Sequence, residues 1–288
     1  MPRRSCCACC AHRRCWVPSV VVVIAAAASY WIEAQFRGKV WVQMDMHSTD
    51  SNRSRAAVRQ LYSFEHRLLP ALRSSHRVVV VESFLSDREI AAVHAIAEPV
   101  TRREPWNLEL GRDKSTGYSQ YVHRVEQELH DGRRDLFDRI VGASWALDER
   151  YWNKFPLPNK GCRPQMEYID YDIDRLGKKG TFETHVDNYA AVTSIILLTR
   201  PGEDFRGGLN YFFVNGTKRL CDGAWDASER LMEVPLQRGD AVFFRGEVVP
   251  HGIGEVRRGR RVVLQTEMSV QRWRDGDGEV RGRDCVAE

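Results

Sequence analysis

The stretch THVDNYAAVTSIILLTRPGEDFRGGLNYFFV, residues 184–214, decides how this chain is read. It holds two apolar runs, Ala191–Thr199 and Gly208–Val214, with turn signals at Pro201-Gly202 and Gly207-Gly208. Short β-branched and aromatic runs bounded by Gly and Pro predict strands. Working outward, similar segments recur at 163–171, 182–187, 231–236, 240–245, 248–251 and 261–270, with further breaks at Gly239-Asp240 and Gly259. Upstream, Arg77-Val78-Val79-Val80-Val81 fits a buried strand. Ser86-Asp87-Arg88-Glu89 is a capping box, whose Ser and Glu satisfy each other's free amides. It starts a helix expected to run to about Ala97 and to bury Ile90, Val93 and Ile96. A second helix is expected over 133–153, with Leu136, Phe137, Ile140, Val141, Leu147, Tyr151 and Trp152 on a broad apolar face. Two helices followed by roughly eight short strands predict an α+β fold, a double-stranded β-helix (jelly roll) backed by N-terminal helices.

The same stretch carries the chemistry. In His185-Val186-Asp187 two metal-capable side chains fall on one side of an extended segment, because strand side chains alternate with period two. His251 can add a third ligand from a distant strand. Two imidazoles and one carboxylate on one face of a metal, with open positions opposite, suit a non-haem Fe(II) oxygenase. Such an iron binds a 2-oxo acid co-substrate whose far carboxylate needs a cation. Arg261 suits that task, since its fork matches a carboxylate bidentately and keeps its proton. The same ligand set also suits zinc, as in a hydrolase, but no general base is evident and Arg261 would be left without a purpose.

The segment from Arg77 to Arg261 resembles the prolyl 4-hydroxylase-like branch of the Fe(II)/2-oxoglutarate-dependent dioxygenases. The resemblance rests on five features taken together. They are the entry strand and helix at Val78–Ala97, the iron motif His185-Val186-Asp187-Asn188, and the glycine-pair turn Phe205-Arg206-Gly207-Gly208-Leu209. Gly239-Asp240-Ala241-Val242-Phe243-Phe244 then leads into His251, and the run from His251 through Gly259 to Arg261 is the last. It implies Fe(II) on His185, Asp187 and His251, which are thus the candidate catalytic and metal residues. It implies 2-oxoglutarate on Arg261, and not on Arg260, with L-ascorbate as reductant. Tyr171 is the candidate second co-substrate ligand and Tyr168 its alternative, the loop Asp172–Gly180 being longer than in similar proteins. Val263 stands where some similar proteins carry a hydroxyl. The implied reaction is hydroxylation of a C–H bond, of peptidyl proline in a protein or peptide partner, with release of succinate and CO2; lysine or a small molecule stays open. The alternative from another class is a non-catalytic jelly roll for binding or scaffolding.

The rest of the chain sets the context. Its 288 residues allow one substantial domain plus extras, and 43 basic against 39 acidic residues, well mixed, leave no stripe for nucleic acid. Residues 1–15 form a basic tail with Cys6, Cys7, Cys9, Cys10 and Cys15, candidates for S-acylation. Residues 16–34 are expected to be a single membrane-spanning signal-anchor, at the short end of the ~17–25 residues a span needs. A cleaved signal or an organelle-targeting segment is the rival. Basic residues ahead of it place the body in the lumen of the endoplasmic reticulum or Golgi, and the sequons Asn52-Arg53-Ser54 and Asn215-Gly216-Thr217 agree. Residues 35–75, with a helical-looking segment over 56–73, are expected to be a stalk before the dioxygenase domain at 76–288. Within that domain 76–160 is helical support, 161–271 the jelly roll and 272–288 a polar tail. Cys162, Cys221 and Cys285 could hold one disulfide of undetermined pairing. Asp170, Asp172 and Asp174 imitate a calcium loop, but Arg175 and Thr181 at its sixth and twelfth positions exclude an EF-hand.

Overall fold

The computed structural model describes residues 65–71, 74–103, 108–110, 119–154, 162–177, 180–187, 190–214 and 231–270. The expected membrane segment, the cysteine-rich tail, both sequons, Cys221, Cys285 and the polar tail lie outside the described residues. Among the described residues no helix is long and apolar enough to cross a membrane.

The chain enters through strand β1 (Arg67–Leu68), β2 (Val78–Val81) and helix α1 (Asp87–Arg103). Next come β3 (Leu108–Leu110), β4 (Ser119–Arg124), α2 (Glu126–Gly132) and α3 (Arg134–Tyr151). The second half is almost all strand: β5 (Cys162–Asp172), the single turn α4 (Ile173–Leu176), β6 (Gly180–His185), β7 (Ala190–Leu197), β8 (Phe205–Gly207) and β9 (Asn210–Phe213). It ends with β10 (Leu231–Val234), β11 (Ala241–Phe244) and β12 (His251–Val270). The main sheet runs β1-β2-β11-β7-β12-β5-β4-β3, each neighbouring pair antiparallel. A smaller set, β6, β8, β9 and β10, assembles on the first half of β12.

That last strand is the hinge of the architecture. Its residues 251–259 pair with β6, β8 and β9, whereas 260–270 pair with β5 and β7 in the main sheet. One continuous strand therefore carries both His251 and Arg261 and fixes where they stand relative to each other.

Period-two alternation divides the core into two layers. Val79 and Val81 of β2, Phe243 of β11, Ile196 of β7 and Leu264 of β12 face the helices, where Ile90, Leu136, Phe137 and Ile140 cover them. Val78, Val80, Val242, Phe244, Ile195 and Val263 point the other way, onto Phe212, Ile253 and Val256 of the smaller sheet. Because β2 and β7 are buried along their whole length, they read as unbroken apolar runs.

Several boundaries differ from the expectation. Arg67-Leu68, expected within a helical stalk, is a strand paired with Val79 and Val80, and Leu69 beside it is buried, so the sheet begins before residue 76. Helix α1 passes through Pro99 to Arg103, since Val100, which is 1% exposed, rewards the continuation. The helix expected over 133–153 is preceded by a separate short helix, α2. Residues 248–249, expected to open a strand over 248–251, belong instead to a turn in which the amides of Val248 and Val249 bond to the Arg245 carbonyl. The loop 172–180 is shortened by α4, which Asp172 caps by accepting from the Arg175 amide at 3.2 Å. The capping box of α1 forms as read, Glu89 accepting from the Ser86 amide at 2.8 Å.

Candidate metal centre and carboxylate pocket

Antiparallel pairing of β6 and β12 sets His185 directly opposite His251, and their ring centroids lie 4.3 Å apart. His185 and Asp187 do not share one strand, although the alternation predicts that they would. Strand β6 ends at His185, so Asp187 stands in the following loop and not on the strand itself. Its place is set by its amide, which donates to the Gly246 carbonyl at 2.9 Å. Its carboxylate Oδ2 accepts from the Thr193 hydroxyl at 2.6 Å. Residue 246 must be glycine for this to work: an added Cβ would come within 2.7 Å of Asp187 Oδ2 and run into the Thr193 hydroxyl.

The three side chains converge. His185 Nε2 is 3.4 Å from Asp187 Oδ1 and His251 Nε2 is 3.5 Å from Oδ2. One ligand atom from each lies within 4.8 Å of the others. The opposite ring nitrogens are occupied: Nδ1 of His185 donates to the Glu183 carbonyl at 2.8 Å, and Nδ1 of His251 to the Val249 carbonyl at 3.0 Å. Bonding Nδ1 to a backbone carbonyl fixes the tautomer that leaves Nε2 as a lone-pair donor.

Electrostatics favour the same state. Burial pushes the Asp187 carboxyl up, but His251, His185 and the Thr193 hydroxyl outweigh it and hold the group down at about 2. Burial pushes His251 down to about 4, the Asp187 carboxylate only partly opposing it. At neutral pH the pair is thus a carboxylate and a neutral imidazole, the forms in which both bind a metal. The N,N,O donor set fits a divalent iron or zinc ion. His185 is 29% exposed at its side chain against 3–4% for the other two, so the cluster opens on the His185 side.

These residues line a cavity of about 370 Å³ between the two sheets, and Arg261 lies in the same cavity. Its side chain is 1% exposed. Asn210 Oδ1 accepts from its Nη2 at 2.9 Å, while its Nε is buried without a partner. Among the described residues no carboxylate pairs with it. Burial accordingly pushes its guanidinium down, the Tyr171 hydroxyl alone opposing. Gly208, at φ 66°, lets the chain pack on this arginine; a Cβ there would sit 2.8 Å from Arg261 Cδ.

The alternatives separate by face. Tyr171 lies opposite Arg261 in the β5–β12 register, and its ring centroid is 5.3 Å from the guanidinium carbon. Tyr168 faces the helix layer, where its hydroxyl meets His94 Nδ1 at 2.9 Å. Arg260 points outward to Asp170, at 2.7 Å. Val263 lines the cavity and offers no hydrogen bond.

Some cavity residues were not singled out from the sequence. Gln120, Gln165, Glu167, Gln265 and Glu267 line it as well. Gln165 Nε2 donates to Glu167 and Gln265 Nε2 to Glu267, each at 2.9 Å. Burial, together with the Asp187 and Glu167 carboxylates, pushes Glu267 up to about 8. Counting in twos from Arg261 along β12 would have put Gln265 and Glu267 on the cavity face. Nothing in the sequence links Thr193 to Asp187.

No family model matches the chain, and no curated protein matches it in sequence. Among solved structures, the epimerase SnoN from nogalamycin biosynthesis, in complex with Fe3+, alpha ketoglutarate and nogalamycin RO, superposes with TM-score 0.51 at 16% identity. The match covers 75% of this chain and 84% of SnoN. A second structure of this non-haem, alpha ketoglutarate-dependent epimerase gives TM-score 0.50 at 18% identity, with the same coverage of both chains. The fold is that of the Fe(II)/2-oxoglutarate-dependent oxygenases. A prolyl-4-hydroxylase from Pseudomonas putida superposes on the oxygenase fold at TM-score 0.43 with 15% identity, over 75% of this chain and 98% of that one.

Proposed function

We propose that this protein is an Fe(II)- and 2-oxoglutarate-dependent dioxygenase that hydroxylates a C–H bond and releases succinate and CO2. The observation that carries the reading is Arg261, a buried cation that pairs with no carboxylate among the described residues, in one cavity with His185, Asp187 and His251. Burying an unpaired charge costs several kcal/mol, on the order that only a matching anion offsets. A dicarboxylic 2-oxo acid carries one carboxylate for Arg261 and a second, with its oxo group, for a metal held by the cluster in the same cavity. A hydrolase reading leaves Arg261 without a purpose, and a scaffold reading leaves both Arg261 and the ligand cluster unexplained.

In this reading His185, Asp187 and His251 hold the iron, and the iron supplies the oxidising chemistry when bound. The residues of the chain do the positioning. Thr193 holds the Asp187 carboxylate and the Gly246 carbonyl holds its backbone amide, the Glu183 and Val249 carbonyls fix the imidazoles, Arg261 and Tyr171 hold the co-substrate, and the two sheets exclude water. Ascorbate as reductant and peptidyl proline as target follow the resemblance of the sequence. Lysine or a small polar molecule is the second reading, favoured by the amide and carboxylate groups of Gln165, Glu167, Gln265 and Glu267 on the cavity wall.

The test is succinate release by the full chain with Fe(II), ascorbate and 2-oxoglutarate, alone and with a proline-rich or a lysine-rich peptide. Stimulation by the proline-rich peptide supports prolyl hydroxylation, and stimulation by the lysine-rich one moves the substrate. No succinate from folded, iron-loaded protein would overturn the dioxygenase reading. A Thr193→Val variant keeps the volume but loses the bond to Asp187. Its Kd for Mn(II), measured by calorimetry, is expected to rise about 10- to 100-fold. An unchanged Kd would mean that Asp187 holds its orientation without Thr193.

A further inference from the structure

Gln120 has no place in the scheme above, yet its surroundings are those of a ligand contact. Its side chain lines the cavity and is 3% exposed. Its Oε1 is buried and has no hydrogen-bond partner among the described residues. A buried amide oxygen left without a donor is expensive, and native structures keep few of them. The β4–β5 register pairs Tyr121 with Asp170 and Val122 with Ile169, which brings Gln120 level with Tyr171. Tyr171 is in turn paired with Arg261 across β5 and β12. The three side chains therefore form one row on three adjacent strands, all facing the cavity, with neighbouring strands about 4.8 Å apart. Along this row Arg261 keeps Nε unpartnered and Val263, next on the same face of β12, has no polar atom. A carboxylate has two oxygens and roughly four lone-pair sites, more than one guanidinium fills.

We infer that Gln120 is a co-substrate-binding residue, its amide N–H completing with Arg261 the clamp on the outer carboxylate of 2-oxoglutarate. A neutral amide suits this position. It adds a donor without placing a second buried charge next to Arg261, and turning the amide over exchanges its acceptor for a donor at almost no cost in shape. The assignment rests on the dioxygenase reading and extends it to a residue that no spacing rule pointed out.

The experiment measures 2-oxoglutarate binding to the Mn(II)-loaded full chain by calorimetry, with the thermal midpoint of each ligand-free protein recorded alongside. For Gln120→Leu the Kd is expected to rise about tenfold, the size of one charge-assisted hydrogen bond. The midpoint is expected to stay or rise, because the variant removes a buried unsatisfied amide. For Gln120→Glu, which sets a carboxylate against a carboxylate, the Kd is expected to rise at least another tenfold. In turnover, KM for 2-oxoglutarate should rise in both variants while KM for the prime substrate stays. A Leu variant that binds 2-oxoglutarate within twofold of wild type, or that loses affinity and midpoint together, overturns the assignment. Wild-type protein that binds Mn(II) but no 2-oxoglutarate overturns the dioxygenase reading instead, and the assignment with it.

Discussion

An Asp187→Ala variant is expected to lose the metal and with it all succinate release, while the domain stays folded. The carboxylate is the one anionic member of the cluster, and its Oδ1 and Oδ2 face the two imidazole Nε2 atoms. Removing it leaves two neutral nitrogens, so the site gives up charge as well as a ligand. Even partners outside a ligand set are typically worth 10–100-fold in metal affinity, so a drop of more than about 100-fold is expected. The fold does not depend on this group, because Asp187 stands in a loop and the sheets are held by the two apolar layers. The measurement is a Mn(II) titration beside the thermal midpoint. Retained metal affinity would mean that the three residues meet without forming a site.

Replacing Arg261 by Met is expected to act in opposite directions on binding and on stability. Truncating one partner of a buried, hydrogen-bonded charge pair costs about 2–5 kcal/mol of affinity. At 1.4 kcal/mol per tenfold, Kd for 2-oxoglutarate should rise at least about 30-fold. The ligand-free protein loses the bond to Asn210 and the contact with the Tyr171 ring, and sheds a buried cation that burial already pushes down. Its thermal midpoint should therefore hold or rise. At 100 times Kd the wild type gains about 2.7 kcal/mol from its ligand, and the variant should gain no more than about 0.9 kcal/mol under the same conditions. A variant that unfolds readily yet still binds 2-oxoglutarate would make Arg261 a structural residue and remove the main support for the proposed function.

How much of this was legible in the sequence depends on the range of the interaction that decides each part. The capping box at Ser86 and Glu89 forms as read because all its groups lie within one turn. Strands β5, β7, β11 and the second half of β12 were legible because burial on one or both faces writes itself as alternation or as an unbroken apolar run. The first half of β12 was not. Residues 251–259 hold three glycines and two arginines and show little alternation, since backbone pairing with β6, β8 and β9 holds them in place. Strand β1 was misjudged as helix for a related reason: two exposed residues that pair at a sheet edge carry no period of their own.

The sequence by itself determined the chemistry available, namely which side chains can hold a metal and which cation can face a carboxylate. Residue type and spacing settle that much, because ligand chemistry belongs to the side chain. Tertiary structure alone decided which neighbours matter. It turned Tyr171 to the cavity and Tyr168 to His94, buried Arg261 and sent Arg260 out to Asp170, and brought Thr193 to Asp187. Each of these choices is a matter of register between strands distant in sequence, where a slip of one residue would exchange the two faces.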